Sequence, residues 1–81
     1  MEIKILFFGI TRDLTHEQEV TLTFSENELL IEKVKNYLQK KYPNLKDLDT
    51  YALAINEEYA NNQDLVKDKD VIAVIPPVSG G

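Results

Sequence analysis

Two short runs at opposite ends of the chain, EIKILFF (residues 2–8) and VIAVI (71–75), constrain the fold more than any other feature of the sequence. Both are rich in β-branched or aromatic residues, and both become apolar on the two faces that a strand presents. In the first, Ile3, Ile5 and Phe7 share one face, while Lys4, Leu6 and Phe8 share the other. A strand that is apolar on both sides belongs in the interior of a sheet. The sequence therefore predicts that the first and last strands lie side by side at the sheet's centre. A chain of 81 residues, 43% of them apolar, is enough for one small domain around one core.

The segments between these runs fill in one sheet and one helix. EVTLTF (19–24) alternates cleanly, with Val20, Leu22 and Phe24 inward, and reads as the antiparallel partner of the first strand. The stretch GITRDLTHEQ between them reads as a polar connection. Ser25 to Glu28 has the form of a capping box, with Phe24 and Leu29 at the positions of a hydrophobic staple. Leu30, Val34, Tyr37 and Leu38 then form an apolar helical stripe, Lys40 and Lys41 suit a helix C-terminus, and Pro43 ends it. These signals predict a helix over 26–41. PNLKDLD reads as a short helical turn, and YALAIN (51–56) as a strand with Tyr51, Leu53 and Ile55 on one face. EEYANNQDL reads as a bend with one short strand around Tyr59, and KDKD (67–70) as a turn. The order β-β-α-β-(β)-β is an α+β arrangement of two layers. Residues 1–75 form the body and 76–81 an extended tail.

Composition excludes several functions. A net charge of −5 repels phosphate backbones, so no nucleic-acid partner is expected. Lys33, Lys35, Lys40 and Lys41 read as a solvated helix face. The chain has no cysteine, hence no disulfide, thiolate metal site or cysteine nucleophile, which suits a reducing compartment and a cytoplasmic location. The first residues lack the pattern of a signal peptide, and no apolar run approaches the roughly 20 residues that span a bilayer. The single histidine, His16, sits in a polar stretch, and Glu57 and Glu58 are adjacent, so in an extended segment they point apart. No metal site, bound cofactor or catalytic constellation is expected.

Three features remain. Arg12, the only arginine, follows the first strand, where its planar fork is either a plain surface charge or a grip for a carboxylate or a partner's backbone. Phe8 is either core or, if exposed, a protein contact. The third is the end, PPVSGG. Pro76 and Pro77 stop the strand and favour extended backbone, and the residues beyond are slender. A Gly-Gly end threads a narrow channel and offers an unhindered carboxyl carbon. With a pKa of about 3.5, that carboxylate is ionised and a poor electrophile until another enzyme converts it, for instance to an acyl-adenylate. The tail thus reads as a substrate handle whose catalyst lies elsewhere, or else as a frayed end.

Taken together, ILFFGITRDL, LAINEEYA and LVKDKDVIAVIPPVSGG give the chain an end-to-end resemblance to the ubiquitin-like sulfur carriers of the MoaD family, the small subunits of molybdopterin synthase. The terminal Pro-Pro-Val-Ser-Gly-Gly is its most specific part. The resemblance implies a β-grasp fold, with a mixed sheet of four to five strands on one main helix. It also implies that an E1-type enzyme uses ATP to adenylate Gly81, which is then converted to a thiocarboxylate. Sulfur passes to cyclic pyranopterin monophosphate in the active site of the large synthase subunit, within a heterotetramer. In this pattern Gly81 is the reactive centre, Gly80 gives it reach, and Pro76, Pro77, Val78 and Ser79 line the partner's channel. Phe8, Ile75 and Tyr59 fall at apolar partner contacts, and Arg12 matches an arginine after the first strand. Two positions depart from the pattern: Ile75 stands where an aromatic residue is common, and Lys69 where a turn glycine is common. Carriers for thiamine synthesis, cysteine synthesis or tRNA thiolation share the fold and the Gly-Gly end, as do ubiquitin-like protein modifiers. A plain interaction domain with an inert tail is the remaining alternative.

Overall fold

The two end runs meet in the computed structural model, which describes residues 1–47 and 51–77. Strand β1 (Glu2–Phe7) pairs in parallel with β7 (Val71–Ile75), placing Lys4 opposite Val71 and Phe7 opposite Val74. Strand β2 (Glu19–Thr23) adds antiparallel to the other edge of β1. On the far side of β7 come β4 (Ala52–Ile55) and then β5 (Glu58–Tyr59), both antiparallel to their neighbours. The sheet order is β2-β1-β7-β4-β5, so the predicted central pair is central.

One face of this mixed sheet is covered by helix α2 (Ile31–Lys41) and the 3-10 turn Pro43–Asp47. Ile3, Ile5, Phe7, Leu22, Leu53, Ile72 and Val74 from the sheet form one buried cluster with Ile31, Val34, Leu38 and Leu45. Burying each such side chain contributes about 1.5–3 kcal/mol, which is the main force holding helix to sheet. Tyr42 meets Phe7 edge to face at 5.3 Å. Tyr42 has φ −127° and ψ 79°, as the following proline demands, so α2 stops at Lys41 as the sequence predicts. Nearby, Gln39 Nε2 donates to the Tyr51 hydroxyl at 2.9 Å. Burial pushes the Tyr51 phenol above its ordinary pKa, and the Gln39 bond pulls it partly back.

The start of the helix differs from the sequence reading. Helix α2 begins at Ile31, not at residue 26, and its N-cap Leu30 makes no side-chain cap. Residues Glu28–Leu30 form strand β3 instead, paired antiparallel with β6 (Leu65–Lys67) in a separate two-stranded sheet. The Ile31 N–H is satisfied from across the chain, by the Asp64 carbonyl at 2.8 Å. The Ser25 hydroxyl donates to Glu26 Oε1 rather than capping anything. A local capping signal has yielded to a tertiary pairing that satisfies the same backbone groups. The polar connection after β1 also contains a helix, α1 (Ile10–Thr15), in which Thr11 and Thr15 are buried. Their polarity hides this: each hydroxyl bonds to a local carbonyl, Thr11 to that of Phe8 and Thr15 to that of Thr11.

Two turns clamp the entry to β7. Asn56 and Glu57, joining β4 and β5, both have positive φ, 49° and 75°, as a two-residue hairpin turn requires. Asn56 also imitates a strand: its N–H donates to Val71 O at 2.8 Å, and its side-chain oxygen accepts from the Val71 N–H at 2.9 Å. Its Nδ2 donates to Asp70 Oδ1, while Asp70 Oδ2 accepts the Lys67 N–H. Lys69 does sit at φ 72°, the conformation that favours glycine. Its N–H donates to the Glu2 carbonyl at 2.7 Å and its ammonium pairs with Glu2 Oε1 at 3.2 Å. The hydrogen bond to Glu2 raises the Lys69 pKa above its ordinary value.

Asn56→Gly keeps positive φ accessible while removing the side-chain bonds, and should lower the urea-measured unfolding free energy by about 1 kcal/mol. Asn56→Ala should cost roughly 1 kcal/mol more, because alanine resists that φ. A glycine variant as stable as the parent would show that the side-chain bonds contribute nothing net.

Adjacent phenylalanines offer a second check. Phe7 is 1% exposed and Phe8 is 41% exposed. Phe7→Ala should cost about 3–5 kcal/mol, and Phe8→Ala less than about 1.5 kcal/mol. Equal losses in parallel urea titrations would contradict the assignment of Phe8 to an open face.

Candidate functional site

The face of the sheet turned away from α2 is apolar and open. Register fixes which side chains share it. Leu6 is opposite Ala73, Ala73 opposite Ala54, and Ala54 opposite Tyr59, a row across four strands spanning roughly 14 Å. The next row sets Ile75 beside Ala52, with Phe8 on the adjoining strand, where its N–H donates to Val74 O at 3.2 Å. Three alanines thus make the middle of this face low, while larger side chains stand at its sides. A shallow depression of about 420 Å³ on this face is lined by Leu6, Phe8, Val71, Ala73 and the Asn56–Glu57 turn. Tyr59, at 73% exposed, stands free on the edge strand.

The tail leaves the body at the corner of this face. Because β1 and β7 run in the same direction, the exit of β7 lies beside the exit of β1. There Gly9 turns the chain with φ 54° and ψ −135°, and Thr11 N donates to Phe8 O at 3.1 Å to close the turn. The buried Thr11 hydroxyl donates to the same carbonyl, with Val74 O 3.4 Å away. Pro76 is half-buried against Gly9: a Cβ built on Gly9 would stand 3.0 Å from Pro76 Cγ.

The predicted site residues fall into three groups. Phe8, Ile75 and Tyr59 share the open face, and Phe8 is solvent-exposed rather than part of the core. Arg12 is exposed on α1 at the same corner; its Nε donates to the Phe7 carbonyl at 3.4 Å, and among the described residues it forms no ion pair. Pro76 and Pro77 carry the chain out of the body. Val78, Ser79, Gly80 and Gly81 lie outside the described residues. Gly9, Thr11 and the alanine row escaped sequence reasoning. Two of the alanines had a readable signal: in YALAIN one phase of the alternation, Ala52 and Ala54, is small and the other, Tyr51, Leu53 and Ile55, is large, whereas Ala73 shares its phase with Val71 and Ile75. His16 is the left-handed C-cap of α1, donating its N–H to Arg12 O at 2.8 Å. Among the described residues no group of acidic, histidine or cysteine side chains is placed to hold a metal, and no helix is long and apolar enough to cross a membrane.

Comparison with known proteins places this geometry. The ThiS family model matches residues 5–81. The molybdopterin synthase sulfur carrier subunit of Caenorhabditis elegans is 39% identical, covering all of this chain and 99% of its own length. That of Arabidopsis thaliana is 37% identical, covering all of this chain and 84% of its own length. Among solved structures, SAMP1 from Haloferax volcanii superposes with a TM-score of 0.85 at 19% identity over the whole of both chains, a likeness of fold, and that fold is the β-grasp. A chain in the complex of subunits 1 and 2 of the molybdopterin-converting factor from Helicobacter pylori superposes with a TM-score of 0.71 at 31% identity, again over the whole of both chains. On these full-length matches, the chain belongs to the ThiS family, among the molybdopterin synthase sulfur carrier subunits.

Proposed function

We propose that this chain is the sulfur-carrier subunit of molybdopterin synthase, with Gly81 as the atom-transferring terminus. The observation that carries this reading is the placement of the tail: it leaves from the central strand, at the corner of an open apolar face, so a partner covering that face also covers the tail's exit. The full-length likeness to carriers of that name, and to a chain solved together with its larger partner, supports the same reading.

The chemistry follows from a carboxylate that is inert by itself. Ionised Gly81 attacks the α-phosphate of ATP on a separate E1-like enzyme, releasing pyrophosphate and forming an acyl-adenylate. A sulfur nucleophile then displaces AMP and leaves a thiocarboxylate, a far better nucleophile than the carboxylate. With the tail inserted into the large subunit, that sulfur attacks a carbon of cyclic pyranopterin monophosphate and displaces an oxygen substituent, which leaves with the bonding electrons. Water then cleaves the acyl–sulfur bond and regenerates the carboxylate. The chain itself binds no cofactor; ATP belongs to the activating enzyme. Phe8, Ile75 and Tyr59 supply apolar contact to the large subunit, and Arg12 supplies a rim charge whose fork suits a carboxylate. Pro76, Pro77, Val78, Ser79 and Gly80 pass through the channel. The assembly is a heterotetramer built on a dimer of large subunits, in the cytoplasm, where a chain without cysteine needs no protection from reduction.

Incubation with the E1-like enzyme, ATP and a sulfur donor should raise the intact mass by one oxygen-to-sulfur exchange, and deletion of Gly81 should abolish both that gain and sulfur transfer while leaving the circular dichroism melt unchanged. An unchanged mass for the full chain, under conditions that load an established carrier, would refute the reading.

Contact across the open face is tested separately. Phe8→Ala and Tyr59→Ala should each weaken binding to the large subunit by roughly tenfold or more, the effect of losing an aromatic anchor, with little change in melting temperature. Calorimetric titration that finds parent-like affinity for both variants would place the partner elsewhere.

A further inference from the structure

We propose that Gly9 is a positioning residue for the reactive tail: the turn it forms is the seat on which Pro76 rests, and it fixes where the tail leaves the body. This rests on the reading of Gly81 as the reactive terminus.

Two independent features require glycine here. The first is conformation. At φ 54° and ψ −135° the residue lies in the mirror image of the extended region, which glycine enters freely and L side chains do not. The second is space. A methyl group at Gly9 would meet Pro76 Cγ at 3.0 Å, inside ordinary contact distance. Pro76 Cγ is not the loose end of a flexible side chain. It belongs to a ring closed on its own backbone nitrogen, so pushing it moves the chain at Pro76.

The turn is the firmer side of this contact. Phe8 O accepts from both the N–H and the hydroxyl of Thr11, and Gly9 O accepts from the Arg12 N–H at 3.0 Å. Thr11 is fully buried, and Phe8 N is tied to Val74 O on β7 itself. Pro76 itself is only half-buried, and Pro77 after it is exposed to solvent. A side chain at Gly9 therefore displaces the tail rather than the turn. When the tail is drawn out in a partner's active site, the five residues after Pro76 reach about 17 Å, so a deflection of about 10° at Pro76 carries the terminus roughly 3 Å. Misplacement on the scale of 1 Å can cost about a hundredfold in rate.

The test uses the full chain, loaded as thiocarboxylate, with the large subunit and its pterin substrate. Gly9→Ala should slow single-turnover sulfur transfer at saturating large subunit by about tenfold or more. The half-saturating concentration should change less than about threefold, because Gly9 lies outside the apolar contact. The folded fraction, followed by circular dichroism at the assay temperature, should match the parent. Pro76→Ala removes the ring, so the double variant should be faster than the product of the two single effects predicts, by about threefold or more. A rate loss explained by the unfolded fraction, or strict additivity of the two substitutions, would overturn the proposal. A parent chain that transfers no sulfur would instead refute the functional reading beneath it. Should Gly9→Ala fail to fold, the parent still decides: an NMR cross-peak between the Gly9 α-protons and the Pro76 γ-protons is expected in the free chain, and its absence would show that no seat exists.

Discussion

Pairing the first and last strands in parallel is the constraint on which the rest of this molecule depends. Bringing together segments from opposite ends of a chain incurs the loop-closure entropy of everything between them, so the pairing must be well rewarded once made. Here it is rewarded at both ends and in the middle. At the entry, Asp68 and Lys69 both grip the backbone of Glu2. In the middle, Ile5 and Ile72 lie opposite each other, each fully buried under α2. At the exit, Phe8 N and the Thr11 hydroxyl close on Val74 O. A parallel pair also has a consequence that an antiparallel one lacks: both strands finish at the same end. The turn after β1 and the tail after β7 are neighbours for that reason, and a glycine at residue 9 bears on a proline at residue 76.

The two faces of the sheet differ in side-chain size, and on the proposed reading that difference separates stability from recognition. On the helix side the alternation supplies Ile3, Ile5, Phe7, Ile72 and Val74, all buried in the core. On the other side it supplies Leu6, Ala73, Ala52 and Ala54, flanked by Phe8, Ile75 and Tyr59. With a single helical layer available, this second face stays open, and its apolar area contributes little to folding the free chain. Its composition suits a removable cover: small residues keep the floor low, and two aromatic side chains stand where a partner's surface would meet them.

Much of this was legible in the sequence, and the exceptions share a cause. The central pair, the antiparallel β2, the end of α2 at Pro43 and the strand at YALAIN all follow from signals within a few residues of one another. The start of α2 did not, because Ser25 to Glu28 carries a sound local cap that loses to pairing with Leu65–Lys67, nearly forty residues away. Helix α1 did not, because its buried positions are Thr11 and Thr15, whose hydroxyls are satisfied by backbone carbonyls and so leave no apolar stripe to read. At the site, Phe8 could be named but not placed, since an aromatic residue at a strand end is equally suited to core and to contact. Gly9 was visible only as a lone glycine. Its importance comes from Pro76, which sequence distance conceals.

A carrier whose reactive group is its own terminus faces a requirement that an ordinary enzyme does not. On the proposed reading Gly81 must enter two different active sites, one that activates it and one that unloads it, while the body stays folded and docks both times. One tail with one exit means that both partners must approach the same corner of the sheet, so each excludes the other while bound. The architecture suits alternation of this kind. On that reading reactivity resides in the terminal residues, recognition in the open face, and stability in the helix-covered face, which neither partner needs to touch. The contact between Gly9 and Pro76 is where these three parts would meet, because it joins the end of the central pair to the start of the tail.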